Sequence, residues 1–135
     1  MGVTVRLTEG ALDEWAVNAP TSGAGARLVF EGIVRPQEDG EAIKGLEYEA
    51  YRPMAEQQLA SIGIQLVEAH GLIGMDIEHS TGFVPNFGCS FRLIVESAHR
   101  KEGLAAMDAF IDRLKTDVPI WKRARLRLNP ANGHS

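Results

Sequence analysis

The segment CSFRLIVESAHR, residues 89–100, constrains the fold most, because it is the strongest strand signal in the chain. Residues 101–115 follow it at once, and their apolar side chains recur at helical spacing. A second helix is predicted over 54–70, since Pro53 is tolerated in a first turn and Gly71 is a natural helix stop. Strands and amphipathic helices therefore interleave along the chain.

Short alternating segments predict the remaining strands. Residues 26–35 and 43–51 are separated by the turn-rich stretch PQEDGEA, so we expect these two segments to form a hairpin. A short helix is predicted over 9–17, with Thr8 as its N-cap. This pattern favours an α+β fold with an antiparallel sheet and packed helices. The other predicted strands are residues 3–7, 74–81 and 124–128.

Composition is that of an ordinary soluble domain. The 135 residues suit a single domain, 1–135, and the net charge of −4 argues against a surface that binds nucleic acid. Cys89 is the one cysteine, which excludes a disulfide within the chain, and we expect it to be a small core residue. No apolar run approaches the ~20 residues that span a bilayer, and no secretory signal is visible, so we expect a cytoplasmic protein.

Cationic side chains at the ends of predicted elements are the best candidates for chemistry. Lys115 falls at the border of its helix's apolar stripe. It is either a partly desolvated base or nucleophile, or a surface lysine whose stem covers apolar area. His99 and Arg100 lie at a strand-to-helix junction, which is either an anion site or an ordinary capping position. Arg35, taken alone, is typical of a solvated strand end.

Patterns for several other chemistries are absent from the sequence. His70, His79 and His134 have none of the spacings that build a metal site, so no metal and no cofactor are expected. The stretch TSGAGA lacks the lysine and hydroxyl residue of a phosphate-binding loop, and no Gly-x-Ser-x-Gly pattern of a serine hydrolase occurs. Any anion site must therefore come from local clustering of lysine and arginine.

Five sequence blocks give the chain a family resemblance. FEGIVR, LEYEAYRPMAE, ESAHR, IDRLK and VPIWKR occur in the order and spacing of the molybdopterin synthase large (catalytic) subunit. The resemblance extends from about Ala26 to Arg123, which is most of the chain. The chain therefore resembles that family, and the resemblance implies an α+β fold of the α/β-hammerhead type.

The resemblance also implies a reaction and its partners. In that family, cyclic pyranopterin monophosphate receives two sulfur atoms and becomes the dithiolene of molybdopterin. The sulfur comes from a ubiquitin-like small subunit whose C-terminal Gly-Gly carries a thiocarboxylate. Two large subunits pair as a homodimer at the centre of a heterotetramer, and a small subunit sits at each end. Neither nucleic acid nor a membrane is an expected partner.

By position, the resemblance implies a set of site residues. Lys115 and Lys122 correspond to the family's central catalytic lysines. Pro119, Ile120 and Trp121 are expected to hold the lysine-bearing turn by burying its apolar side, which would lower the ordering cost on binding. The residues expected to bind the phosphorylated pterin are Ile33, Val34, Arg35, His99, Arg100, Lys115, Lys122 and Arg123.

Departures from the family pattern leave an alternative open. Ala124 stands where the family usually has Glu, and Ser80 where it usually has Arg. The loop GFVPNFGCS lacks the family's acidic residue, and the C-terminus is short. The chain is either a working enzyme or a non-catalytic paralogue that still binds the ubiquitin-like small subunit. A nucleic-acid binder that uses Arg123, Arg125 and Arg127 is disfavoured by the negative net charge.

Overall fold

The chain folds into one sheet and two helices, as seen in a computed structural model that describes residues 2–15 and 22–127. This arrangement confirms the α+β class expected from the sequence. The strands of the described part are β1 (Gly2–Glu9), β2 (Ala26–Ile33), β3 (Gln37–Glu38), β4 (Glu41–Ala50), β5 (Gly74–Pro85), β6 (Cys89–Ser97) and β7 (Ile120–Leu126), and the helices are α1 (Met54–His70) and α2 (Arg100–Asp117).

Strands β5 and β6 occupy the centre of the sheet. The spatial order is β2-β6-β5-β4-β3, with β1 beside β5 and β7 beside β4. Neighbouring strands of the described part pair antiparallel, as expected, with the exception of β1 and β5, which are parallel. Strand β5 serves both halves of the sheet, because residues 74–81 pair with β1 whereas residues 82–85 pair with β4.

A glycine marks the point where β5 changes partners. Gly82 has a φ of +74°, which residues with a Cβ rarely adopt. A Cβ at this position would also lie 2.4 Å from the Oε2 atom of Glu9, the last residue of β1. The missing side chain thus lets β5 leave β1 and join β4.

Both helices cover one face of the sheet and fill the main core with it. Helix α1 ends at Gly71, whose φ of 64° gives the left-handed cap that its position predicts. In α2, the fully buried Phe110 stacks on Phe91 of β6, with ring centroids 6.1 Å apart. Strand side chains that face this core alternate with side chains that point to the opposite face of the sheet, as strand geometry requires. They include Met75, Ile77, Leu93 and Val95.

Three local predictions are wrong. Strands β2 and β4 form no hairpin with each other, because β2 pairs with β6, and β4 pairs with β3, β5 and β7. The helix predicted over 9–17 is absent from its described part, where β1 continues to Glu9 and residues 10–15 are irregular; the rest of that segment lies outside the described residues. The segment expected to be a turn before residue 124 is strand from Ile120 onward.

Cys89 lies at the start of β6 and is only partly buried, so it is not the core residue that the sequence suggested. Burial nevertheless raises the pKa of its thiol, which disfavours the thiolate that a nucleophilic cysteine needs.

The described residues form neither a membrane-spanning helix nor a cluster of metal ligands. Neither α1 nor α2, the helices of the described ranges, has the length and apolar content needed to cross a membrane. Within the same ranges, no group of three or more His, Cys, Asp or Glu side chains is placed to hold a metal ion.

Candidate functional site

Lys122 lies in β7 and faces the same side of the sheet as Tyr48, its direct partner in β4. Its Nζ atom is 3.1 Å from the Oε2 atom of Glu38, the last residue of β3. Tyr48 is itself fixed, because its hydroxyl donates a 3.0 Å hydrogen bond to Ser90 and its ring meets His79 edge-on. Lys122 therefore projects from a well-anchored pair of strands.

Lys115 lies in the last turn of α2, and the contacts of α2 show which way the helix points. Near its start, a Cβ at Gly103 would lie 2.6 Å from Leu28, in the first half of β2. Further along, Phe110 stacks on Phe91, which lies opposite the last part of β2. Helix α2 thus advances toward the end of the sheet where β2 finishes. Lys115 is exposed there, as the surface alternative for this residue predicts.

Arg35 lies just beyond β2, on a segment that hydrogen bonds hold in place. The N–H of Val34 donates to the carbonyl of Gly88 at 2.9 Å, and the carbonyl of Val34 accepts from the N–H of Phe87 at 2.7 Å. Val34 is buried, whereas Ile33 and Arg35 are exposed. The backbone around Arg35 is therefore anchored while its side chain is available to a ligand.

Three of the expected cations lie at one end of the molecule. Arg35 precedes Glu38 by three residues, and Glu38 contacts Lys122. Lys115 lies two residues before the end of α2, and the chain enters β7 three residues after the helix ends. Within the described ranges, Lys122 has a carboxylate within ion-pair distance, whereas Arg35 and Lys115 have none. We call Arg35, Lys115 and Lys122 the basic end; it suits an anionic ligand.

His99 and Arg100 lie at the other end of α2 and do not join the basic end of the same chain. At ~1.5 Å of rise per residue, Arg100 is about 22 Å from Lys115 along the helix axis. The backbone N–H groups of Glu102 itself and of His99 donate to the Glu102 carboxylate and lower its pKa. The side chain of His99 is 85% exposed. In a single chain this junction is a capping position.

Arg123 and Trp121 lie on the face of β7 opposite to Lys122. Successive side chains of a strand alternate between faces, and Arg123 lies opposite Glu47 in β4. Trp121 is 59% exposed, so the expectation that it buries the apolar side of this segment is wrong. Ile120 does pack against the main core. Lys122 is thus held by strand pairing rather than by an apolar clamp.

Sequence reasoning missed Glu38, the residue that contacts Lys122. A signal for its position exists, because Asp39 and Gly40 form a two-residue loop with φ values of 53° and 81°. The Asp-Gly dipeptide is typical of such hairpin loops. It fixes Glu38 opposite Glu41. The dipeptide predicts the hairpin but not its contact with β7, which lies far along the chain.

Two of the departures from the family pattern, Ser80 and Ala124, occupy tightly packed places. Ser80 is fully buried, and its hydroxyl donates a 2.6 Å hydrogen bond to the carbonyl of Gly10. An arginine here would need a different course for the chain after β1. Ala124 lies opposite Leu46 and packs on the small cluster that contains Val34. Its small side chain fits the apolar surface that backs Lys122.

His79 gives the fold a dependence on pH. It is buried against Tyr48 and Phe91, and its Nδ1–H donates to the carbonyl of Ser80 at 2.8 Å. Burial lowers its pKa in the folded chain. The unfolded chain therefore takes up a proton below pH about 6.5 that the folded chain does not, and stability falls with further acidification by up to about 1.4 kcal/mol per pH unit.

We expect His79→Gln to flatten this dependence. Urea unfolding of both proteins between pH 5 and 8 measures it, because carboxylates titrate mostly below that window. His70→Gln, in the last turn of α1, is the matched control and should keep the wild-type slope. An unchanged slope in His79→Gln would show that His79 is not the group responsible.

The lysines and the arginine at one end of this small α+β scaffold have the charge that would suit an anionic ligand. The family model described as MoaE protein matches residues 7–117, and the chain belongs to that family. The family resemblance drawn from the five sequence blocks is thereby confirmed.

Named relatives and solved structures agree with this assignment. The chain is 37% identical over 111 residues to the molybdopterin synthase catalytic subunit of Thermoplasma volcanium, with 82% of this chain and 81% of that one covered. Its fold matches the crystal structure of molybdopterin synthase from Staphylococcus aureus with a TM-score of 0.78, 34% identity and 91% coverage of both chains. It also matches a complex of subunits 1 and 2 of the molybdopterin-converting factor from Helicobacter pylori, with a TM-score of 0.72, 25% identity and coverage of 93% and 91%.

Proposed function

We propose that this chain is the catalytic subunit of a molybdopterin synthase. It transfers sulfur from a thiocarboxylated small subunit to cyclic pyranopterin monophosphate and forms the dithiolene of molybdopterin. The observation that carries the proposal is the gathering of Arg35, Lys115 and Lys122 at one end of a fold of this family.

The charges of the two reactants explain why the basic end suits this reaction. A thiocarboxylate and a cyclic phosphate are both anions, so they repel each other as they approach. Fixed cations offset that repulsion, and they do so most strongly where water is excluded. The planar guanidinium of Arg35 suits bidentate binding of the phosphate, whereas Lys115 and Lys122 act as compact charges near the sulfur.

The reaction needs proton donors as well as charge. Each transfer forms a carbon–sulfur bond on the pterin side chain and breaks the acyl–sulfur bond of the small subunit. Water supplies the oxygen that restores the small subunit's carboxylate, so sulfur transfer needs no external oxidant or reductant. When the cyclic phosphate opens, the leaving oxygen takes a proton. The ammonium groups of Lys115 and Lys122 are the donors that we assign to this step.

The small subunit is the sulfur donor in this proposal. The H. pylori match is a complex of two subunits, which supports a second polypeptide as partner. A Gly-Gly tail carries no side chains, so it can enter a narrow site and bring its terminal thiocarboxylate close to the lysines. We place the end of that tail between Lys115 and Lys122.

A second copy of this chain completes the site, because His99 and Arg100 lie too far from the basic end of their own chain. Strand β2 is at the edge of the sheet, and among the described strands it pairs with β6 alone. An edge strand offers unpaired N–H and C=O groups to another chain. We assign the contact to β2 of both copies, paired antiparallel about a two-fold axis.

Charge favours one register for this pairing. With the two-fold axis at Val29, Arg27 lies opposite the partner's Glu31, and the same pair recurs on the other side of the axis. These side chains share the face of the sheet that the helices leave uncovered. Within one chain Arg27 already pairs with Glu96 at 3.2 Å, and Glu31 with Arg92 at 2.8 Å. The contacts between the two copies would extend these pairs into a charge network across the two strands, and a shift by two residues would remove them.

This register brings the missing residues to the basic end. It places the partner's Gly25 opposite Ile33, two residues before Arg35. In each chain the N–H of Gly25 donates to the carbonyl of Ser97 at 3.1 Å, which ties this point to the start of α2. The partner's α2 therefore begins about two strand spacings, ~10 Å, from β2 of the first chain. The partner's His99 and the partner's Arg100 then face the substrate's phosphate.

Reconstitution tests the function directly. The chain is mixed with thiocarboxylated small subunit and cyclic pyranopterin monophosphate, and molybdopterin is assayed. We expect product in proportion to the thiocarboxylate supplied, with two thiocarboxylates used for each molybdopterin. Binding of the small subunit without product at any concentration would contradict the proposal and identify a non-catalytic paralogue.

A further inference from the structure

We propose that Glu38 is a positioning residue that acts as the resident counter-ion of Lys122 and is displaced when the anionic substrate binds. This inference rests on the proposed function, and it assigns a role to a residue outside the expected site. Its starting point is the distance of 3.1 Å between Glu38 Oε2 and Lys122 Nζ. Arg35 and Lys115, the other two cations of the basic end, have no such partner among the described residues.

The hairpin between β3 and β4 holds Glu38 in position. Glu38 lies opposite Glu41, and the intervening Asp39 and Gly40 both have positive φ. A two-residue loop of this kind fixes the register of the residues that flank it. The carbonyl of Pro36 also accepts a 3.0 Å hydrogen bond from the N–H of Ile43. Because the backbone of Glu38 is already ordered, little further conformational entropy is lost when its carboxylate pairs with Lys122.

The two partners differ in how freely water reaches them. The side chain of Lys122 is 54% exposed, whereas that of Glu38 is 22% exposed. A half-exposed ion pair is weak, so an incoming phosphate or thiocarboxylate can displace the carboxylate. When the anion binds, Lys122 exchanges one anionic partner for another and keeps its orientation. Glu38 thus keeps the lysine in place between turnovers, and it weakens substrate binding.

Replacement of Glu38 by glutamine should separate binding from turnover. Glu38→Gln keeps the shape of the side chain and removes the charge that competes with substrate. We expect its KM for cyclic pyranopterin monophosphate to fall about three- to fivefold, which is the change that loss of a partly exposed competing ion pair would cause. Its kcat should stay within about twofold of the wild-type value. Added salt should narrow the difference, because it screens the competing charge. A merely structural residue would not produce this split.

Glu41→Gln is the matched control, because it removes the same charge from the same hairpin at the position opposite Glu38. Its KM should match that of the wild type. An equal fall in KM for both variants would show a general charge effect and overturn the role of the ion pair. An unchanged or raised KM in Glu38→Gln would overturn it as well.

A binding measurement keeps this test independent of the proposed function. Calorimetric titration with cyclic pyranopterin monophosphate, without small subunit, gives the dissociation constant of each variant. Tighter binding by Glu38→Gln than by Glu41→Gln supports the inference even if no protein forms molybdopterin. Equal binding by the two variants overturns it even if the wild type is fully active.

Discussion

Lys115→Ala should reduce molybdopterin formation by at least about a hundredfold while leaving the chain folded. Loss of a single group that stabilises developing charge in an active site typically costs that much or more. Lys115 is exposed near the end of α2 and makes no ion pair among the described residues, so its removal should not change thermal unfolding. The measurement is single-turnover product formation with saturating thiocarboxylated small subunit.

Two further variants separate charge from proton transfer. Lys115→Arg keeps the positive charge, but arginine does not release its proton near neutral pH. We therefore expect this variant to bind the precursor like the wild type and to turn over at least about tenfold more slowly. Lys44→Ala removes an exposed lysine of β4 and should be fully active. Near-normal turnover by Lys115→Ala would remove Lys115 from the mechanism.

Local patterns predicted most elements, because their signals lie within one segment. The apolar spacing of 54–70, with Pro53 before it and Gly71 after it, predicted α1 to the residue. The strand signal of 89–100 located β6 and the start of α2 within a few residues. In these segments the residues that determine the structure are neighbours in sequence, so periodicity and capping suffice.

Strand partners were harder to predict, because they depend on packing across the whole chain. The segments of β2 and β4 are close in sequence and separated by turn residues, which favoured a hairpin. In the fold, β2 instead pairs with β6, where Leu28 and Phe30 join the main core beneath α2. The Asp-Gly turn closes only the short pairing of β3 with β4. Burial of apolar side chains outweighed closeness in sequence.

The candidate site also combines features that can be read from one segment with features that depend on how distant segments pair. Family resemblance predicted Lys115 and Lys122 as catalytic residues, and their roles stay a prediction; the fold shows that Lys115 lies in the last turn of α2 and Lys122 in β7. The resemblance could not show that Arg123 lies on the other face of β7, because that depends on the register of β7 with β4. Nor could the sequence show that His99 lies far from Lys115, since this separation follows from the length of α2.

Complementation between two inactive variants should reveal a site shared by two chains. We expect Arg100→Ala and Lys115→Ala each to lose nearly all activity, because each removes one cation from both sites of a homodimer. In a mixed dimer, one site loses both cations, whereas the other combines an intact Lys115 with the partner's intact Arg100. Random exchange makes about half of the dimers mixed, and one of the two sites in each mixed dimer is intact. About a quarter of all sites are then functional, so activity should return to about a quarter of the wild-type level.

The experiment needs partial unfolding and refolding of the mixture, so that the subunits exchange. The control is Lys115→Ala mixed with Lys122→Ala, two changes that our geometry places in the same site of one chain. Each site of that mixed dimer keeps one defect, and activity should stay at the level of the single variants. Recovery in the first mixture but not in the second requires that α2 of one copy begin at the basic end of the other. Failure of the first mixture to recover would show that each chain acts alone, and β2 would then need another partner.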